Sequence, residues 1–412
     1  MRKKIFIIGN GAKEYTLAKK LSEKHDIYIT PQSDTLKEFA TCLDIREDAI
    51  EELLEFAMEN DMDMTVATSD KAINAGIADK FNDNKQQIFA PTKKANELIS
   101  NKTAAKKALY KLRIPTPKFG IFDKLNLAID YIKNQKIPFV IKTNNPSSAI
   151  INTSADTAKN IIESILIEKN NKIIIEDYVY GTPFSFYAIT DGYKALPIGS
   201  SINYKYSLEG DGGQLTNGMG SIIPNYKLSV ENEYYLMDNV IYPTLDYLQM
   251  TENQYLGIIG VNGILTEDNK IQILGWQSFL QDSDAAGILN CIDDDLYDLF
   301  EACIIGSFSD EFDSLNLNNK QSVSVTLTCK YKDNKENIIS GIDNLEDETL
   351  VTFYPAVLKN KYLEYEAKFG AVMVVTSSAS SVSKACEKVY NELKDIDFSG
   401  IYYRKDICAF NK

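Results

Sequence analysis

The sequence predicts a multidomain protein of mixed α/β and α+β class, with a parallel α/β domain at the N-terminus and a strand-rich domain at the C-terminus. Three observations lead there. A chain of 412 residues is too long for one ordinary core, so two to four domains are expected. The first ninety residues alternate short apolar runs with helix-spaced stretches, the pattern of a parallel sheet. After an acidic, Ser/Asn-rich linker at 309–320, apolar runs at 322–330, 350–354 and 370–376 read as strands, with one helix near 381–393.

Composition narrows the function classes. A net charge of −14 argues against a nucleic-acid or anionic-membrane partner. No apolar run approaches a membrane span, and Met1-Arg2-Lys3-Lys4 leads into a short strand, not a signal peptide. The six cysteines form no CxxC pair and are expected to be reduced thiols in a cytoplasmic protein. The lone histidine, His25, excludes two-histidine metal sites and a Ser-His-Asp triad supplied by one chain; it is expected on a surface turn.

Taken in order, residues 5–8 form an apolar strand, Gly9-Asn10-Gly11 a turn, and 14–21 a helix. That sequence of elements offers free amides at a helix N-terminus to a phosphate. Glu14 occupies the sixth position of a G-x-G-x-x-G, so a dinucleotide fingerprint fails. Further units follow: strands at 27–30, 64–67 and 87–90, with helices around 49–60 and 71–81. Ligands of open α/β sheets bind at the carboxyl ends of strands, where Gly9, Asn10, Gly11, Lys13 and Asp70 would meet. A boundary falls near Pro91-Thr92. Pro115 and Pro117 force extended backbone. Residues 137–142 form a buried strand ending in Lys142, which makes that lysine less bland than a solvated one. Strands at 172–176, 184–189 and 195–198 precede a loop, 210–220, that holds five of the chain's 21 glycines. Such a loop can line bare amides against an anion; a long hairpin loop is the bland alternative. A helix over 231–248, a hairpin of 256–265 with 270–274, and a helix over 294–307 complete the middle of the chain.

Several of these stretches resemble motifs of the phosphoribosylamine–glycine ligases, ATP-grasp enzymes of purine synthesis. Gly9-Asn10-Gly11-Ala12-Lys13-Glu14 is similar to their G-N-G-G-R-E. Thr68-Ser69-Asp70 is similar to G-P-E, the loop 210–220 with Pro224 to T-G-P-N-T-G-G-M-G-x-x-x-P, and 398–407 to F-x-G-M-F-Y-R-R-D-I. The resemblance implies a pre-ATP-grasp domain over 1–100, which binds phosphosugar through Gly9, Asn10, Gly11, Lys13 and Asp70. It implies an ATP-grasp domain over 101–308, with a lid at 115–190, and a C-terminal domain over 309–412. Lys102, Lys142, Glu176, Asp177 and Val179 would bind ATP; Asp211, Gly218 and Gly220 would serve catalysis. Magnesium, glycine and 5-phosphoribosylamine are the implied metal and substrates.

The departures fall on the chemistry. Where the family has V-I-E-F-N, whose Glu and Asn hold magnesium, this chain has Ile273-Leu274-Gly275-Trp276-Gln277, so only Gln277 is left to offer the metal an oxygen. A hard cation wants oxygen ligands in near-octahedral array. Asp282 and Asp284 lie downstream and read equally as an acidic helix start. The family's glycine-rich ATP loop is Thr143-Asn144-Asn145-Pro146-Ser147-Ser148 here, expected to be stiff. Two functions follow: an ATP-dependent carboxylate–amine ligase with eroded motifs, or a degenerate relative that binds nucleotide or phosphosugar without turnover.

Overall fold

A computed structural model describes residues 2–144, 149–166, 171–332, 337–346 and 349–409. Five parallel strands form the N-terminal sheet: β1 (Lys4–Ile8), β2 (Asp26–Thr30), β3 (Thr41–Cys42), β4 (Met64–Ala67) and β5 (Ile88–Phe89), in the order β3-β2-β1-β4-β5. β1 is apolar on both sides because both of its faces are covered. Ile5 and Ile7 pack in the core that holds Leu17 and Leu21 of the helix Ala12–Ser22, while Phe6 and Ile8 pack with Leu53 and Phe81 on the other face. The strand order reverses between β1 and β4, so the ends of these two strands open a crevice. The single helix expected over 71–81 is two, Asp70–Ala75 and Ile77–Asp83. Gly76 takes φ +92 and ends the first, a left-handed cap that glycine adopts readily.

A four-stranded antiparallel sheet follows: β6 (Phe119–Phe122), β7 (Phe139–Thr143), β8 (Ala149–Asn152) and β9 (Ile173–Asp177), in the order β6-β9-β7-β8. Residues 145–148, the heart of the loop expected to be stiff, lie outside the described residues.

The largest sheet is antiparallel. It comprises β10 (Thr182–Thr190), β11 (Ala195–Asn203), β14 (Gly220–Ile223), β15 (Gly257–Leu265), β16 (Ile271–Ser278), β17 (Gln321–Cys329), β18 (Leu350–Phe353), β21 (Gly370–Ala379) and β22 (Ile401–Tyr402). Two short hairpins stand apart: β12 (Tyr206–Leu208) with β13 (Gly212–Leu215), and β19 (Leu358–Lys359) with β20 (Tyr365–Glu366). The C-terminal strands join the central ones through the β14–β17 ladder, so one sheet runs through both regions. Alternation along β10 divides its faces. Phe184, Phe186 and Ala188 pack with Leu236, Val240 and Leu245 from the helical stretch 230–250, which carries one π turn at Met237–Ile241. Tyr187 and Ile189 face the helix Asp282–Cys291 and the N-terminal sheet.

Two expectations are corrected. Cys386 and Cys408 form a disulfide, with Cα atoms 5.9 Å apart. The helix Val382–Glu392 packs across β17 and β21 and brings its cysteine to the chain end, a pairing that a separation of 22 residues hides in the sequence. The other four cysteines are free. His25 is buried rather than on a surface turn; its Nε2 lies 3.4 Å from Asp295 Oδ1 and its ring lies against Tyr297.

Candidate functional site

Lys142 ends the buried part of β7, and Glu176 sits on β9, paired with Val140 one pleat away. Both side chains therefore emerge on the same face of the sheet. Lys142 Nζ is ion-paired with Glu176 Oε1, and Lys106 Nζ lies 2.8 Å from Glu176 Oε2, with Lys106 and Glu176 fully buried. Lys106 comes from the helix Lys102–Lys111, one turn after Lys102, and also donates to Thr116 Oγ1 at 2.7 Å. Lys142 lies within electrostatic reach of Lys102, Lys106 and Lys205. Burial first, and then the charge of Lys142, lowers Lys102 and Lys205 to about 8. Lys106 is also at about 8, because burial outweighs the pull of Glu176. Burial works against charge on Glu176, but Lys142 and Lys106 override it and hold the carboxyl below its usual range. Asp177 closes β9 and donates its amide to Lys118 O at 2.9 Å; Val179 is half-buried in the link to β10.

Beside the lysines, one face of the central sheet carries a row of directly opposed residues: Ser201, Ser185, Asn262 and Gly275. Gln277 lies two residues along β16 from Gly275. The amides there are joined to one another. Asn262 Nδ2 donates to Gln277 Oε1 at 2.8 Å, and Gln281 Nε2 donates to the same oxygen at 2.7 Å. Asn262 Oδ1 accepts from Ser185 Oγ at 2.9 Å, Gln281 Nε2 at 3.0 Å and Lys205 Nζ at 3.3 Å. Gln277 Nε2 donates to Tyr187 Oη at 2.9 Å, which donates to Asp284 Oδ2 at 2.6 Å. Asp284 is fully buried and also accepts from Ser201 and Asn203.

The lysine cluster fits a polyphosphate chain. The implied magnesium does not fit the donors beside it. The one assigned ligand, Gln277 Oε1, already accepts two hydrogen bonds, and Gly275 brings no oxygen-bearing side chain. Asp282 and Asp284 open the helix Asp282–Cys291 and are engaged elsewhere. Among the described residues no group of three or more His, Cys, Asp or Glu side chains is arranged to hold a metal ion.

The predicted phosphosugar residues gather at the switch point. Lys13 Nζ donates to Thr68 O at 3.0 Å, linking the turn after β1 to that after β4. Asp70 Oδ1 accepts from Ser278 Oγ at 3.0 Å and ties this crevice to β16. The turn's amides are partly taken. Gly11 N donates to Glu14 Oε2 at 2.8 Å and Lys13 N to Asp282 Oδ1 at 3.0 Å. Gly9 has φ +133, and a Cβ there would meet Glu14 Oε1 at 2.7 Å, so the turn needs glycine at this point. Asn10 is half-buried beside it. Burial disfavours charge on Lys13, but Glu14, Asp282, Asp70 and Glu47 outweigh it and raise its pKa. Burial leads the upward shift of Glu14.

The glycine-rich stretch packs against Arg404 at one end and against the start of the helix Asp282–Cys291 at the other. Asp211 Oδ1 accepts from Arg404 Nη1 at 2.9 Å, and Arg404 is in turn forked onto Asp406. A Cβ on Gly218 would meet Ser283 Oγ at 2.8 Å, whereas Gly220 lies within the large sheet. Lys106, Lys205, Asn262 and Gln281 are the site residues that sequence reasoning missed. The i, i+4 spacing of Lys102 and Lys106, and the single Asn inside the apolar run of β15, were the available signals.

A four-stranded antiparallel sheet and a large antiparallel sheet, with lysines gathered between them beyond a parallel N-terminal sheet, define the ATP-grasp class. Fold neighbours agree. The phosphoribosylamine–glycine ligase of Thermotoga maritima aligns with a TM-score of 0.81 at 19% identity, covering 98% of this chain and 99% of that one. A biotin carboxylase of Campylobacter jejuni aligns at 0.74 and 14% identity, covering 99% and 94%. Family models described as the phosphoribosylglycinamide synthetase N domain and ATP-grasp (A) domain match residues 3–98 and 100–285. The chain belongs to the phosphoribosylamine–glycine ligase (phosphoribosylglycinamide synthetase) family. The ligases of Halalkalibacterium halodurans and Caldanaerobacter subterraneus are 27% and 28% identical to it, over 98% of this chain and 96% and 99% of theirs. No helix among the described residues is long and apolar enough to cross a membrane.

Proposed function

We propose that this chain binds ATP in the lysine cleft and acts in the cytoplasm as a carboxylate–amine ligase, joining glycine to 5-phosphoribosylamine in purine biosynthesis. One observation carries the reading: Lys106 and Lys142 are ion-paired with the buried Glu176, and Lys102 and Lys205 lie within electrostatic reach of Lys142, so four buried or half-buried lysines gather in one place. In this reading Lys102, Lys142 and Lys205 hold the phosphate chain. Glu176 is a positioning residue that orients Lys106 and Lys142, and Asp177 with the Val179 backbone addresses ribose and adenine. Charge moving between phosphoryl and carboxylate oxygens is met by fixed ammonium groups, so positioning and electrostatics supply the catalysis. Gly9, Asn10, Gly11, Lys13 and Asp70 receive the phosphosugar; Asp211, Gly218 and Gly220 shape the loop beside the reacting groups. The working units are 1–100, 101–308 with a lid at 115–190, and 309–412. No step is routed through magnesium, because the donors at Gln277 do not suit it.

That misfit favours a second reading, a nucleotide- or phosphosugar-binding relative without turnover. Glycine-dependent ADP release with freshly made phosphoribosylamine separates the two. Turnover supports the ligase. Binding of ATP or phosphosugar without turnover supports the second reading, absence of ATP binding overturns the first, and absence of both overturns the second as well.

A further inference from the structure

The row Ser201, Ser185, Asn262 and Gly275 lies where the phosphate chain would pass the central sheet, and its chemistry is unusual for a nucleotide site. A divalent cation bridging phosphates needs oxygen ligands with free lone pairs, usually including a carboxylate. Here the neutral oxygens of Asn262 and Gln277 are each filled by two or three protein donors. The cation already present is an ammonium, Lys205 Nζ, 3.3 Å from Asn262 Oδ1. Among the described residues it makes no ion pair; Asp284, the carboxylate whose charge favours it, is occupied by Tyr187, Ser201 and Asn203.

We propose that this site takes its nucleotide as the free polyphosphate anion, with the Lys205 ammonium, backed by Lys142, supplying the charge that a bound divalent cation would otherwise supply. The inference rests on the nucleotide reading above and deepens it. A divalent ion entering between phosphate and Asn262 would face two lysines and would have to break the Asn262–Gln277–Gln281 amide network. A polyphosphate oxygen meets the opposite situation. Lys205 offers an ammonium with donors to spare, since Lys has three and only one bond is recorded. Although burial lowers Lys205 to about 8, it remains charged at neutral pH. Lys106 and Lys142 share the single carboxylate Glu176, and Lys205 adds a further ammonium within reach of Lys142, which suits a polyanion that brings no metal with it.

The test is ATP titration of the full chain, followed by heat and by the fluorescence of Trp276, the only tryptophan, which adjoins Gln277. It is run in excess EDTA and again with magnesium chloride. The expected affinity in EDTA equals or exceeds that with magnesium, within about threefold. Lys205→Met is expected to weaken binding in EDTA by at least about tenfold, the loss of a charge-assisted hydrogen bond, with an unchanged circular dichroism spectrum. Gln277→Glu should bind ATP less well in EDTA and recover when magnesium is added. An affinity that rises about tenfold or more with magnesium in the unaltered protein overturns the inference and leaves the nucleotide reading standing. No binding in either buffer overturns both. Unchanged affinity in folded Lys205→Met removes the ammonium's role. The unaltered protein decides the metal question even if a variant fails to fold.

Discussion

The two crevices that flank the large sheet have opposite charge inventories. Under β7 and β9, Lys102, Lys106 and Lys142 lie within reach of Glu176, and Lys205 lies within reach of Asp284 and Lys142. At the end of β1, Lys13 faces Glu14, Asp282, Asp70 and Glu47, the last of which also lies 3.8 Å from the exposed Lys71. Both use the same device, a buried cation beside a glutamate, yet they offer different things to a ligand. The first has positive charge left over. The second has spent its cation and two of its turn amides on the protein's own carboxylates. The same contrast separates the glycine turns of the sequence from what they do: a G-N-G turn presents amides, but an acid three residues on can claim them first.

Removing the glutamate of the first crevice should have the largest effect. Glu176 and Lys106 are both fully buried and 2.8 Å apart. Glu176→Gln strips the carboxylate and leaves two cations without their partner, a loss expected to cost about 3–5 kcal/mol in urea unfolding at pH 7. A change under about 1 kcal/mol would mean that the lysines do not depend on Glu176, and the contrast would lose its basis. The folded-state carboxyl lies below its usual range, so its contribution is present above the unfolded-state pKa and is lost as pH falls through the folded value.

The second prediction concerns pH. Lys102, Lys106 and Lys205 lie at about 8 in the folded chain, against 10.5 for ordinary lysine. Between those values the unfolded chain holds more protons, so these groups make the ligand-free protein more stable as pH rises from about 8 toward 10.5. ATP affinity should move the other way. It should fall by about tenfold or more between pH 7 and pH 9 as the ammonium groups discharge, a change read by calorimetry. A flat profile would show that these lysines do not hold the phosphates.

Much of the scaffold was legible because apolar periodicity reports burial directly. β1, β4 and the β15–β16 hairpin are where their apolar runs fall, and the crevice between β1 and β4 follows from the alternation of strand and helix. Lys142 stood out because it ends an apolar strand. Lys106 did not, since a lysine on a short helix reads as solvated until β9 brings Glu176 over it. Lys205 sits in the irregular link after β11, where no periodicity assigns a face. The disulfide and the burial of His25 depend on contacts distant in sequence. Gln277 illustrates the limit best. Its identity showed that a carboxamide stood at that position, but only the neighbours Asn262 and Gln281 reveal that its oxygen is already taken.

The smallest expected effect is the sharpest test of the second crevice. Asp282 Oδ1 accepts the Lys13 amide from across the glycine turn, and a Cβ on Gly11 would lie 3.3 Å from the same oxygen. Asp282→Asn keeps an oxygen for that amide and leaves the shape unchanged. It removes one of four negative charges around Lys13. With ribose 5-phosphate as the probe, affinity should improve by about two- to fivefold, the range of a single part-exposed charge, and the gain should shrink with added salt. Binding of ATP in the lysine cleft should not change. If ribose 5-phosphate binding is unaltered while ATP binding shifts, Asp282 acts on the wrong crevice and the two inventories are not independent. If the sugar phosphate binds more weakly, the aspartate orients the turn rather than competing for it, and Lys13 would be held ready by the acid that surrounds it.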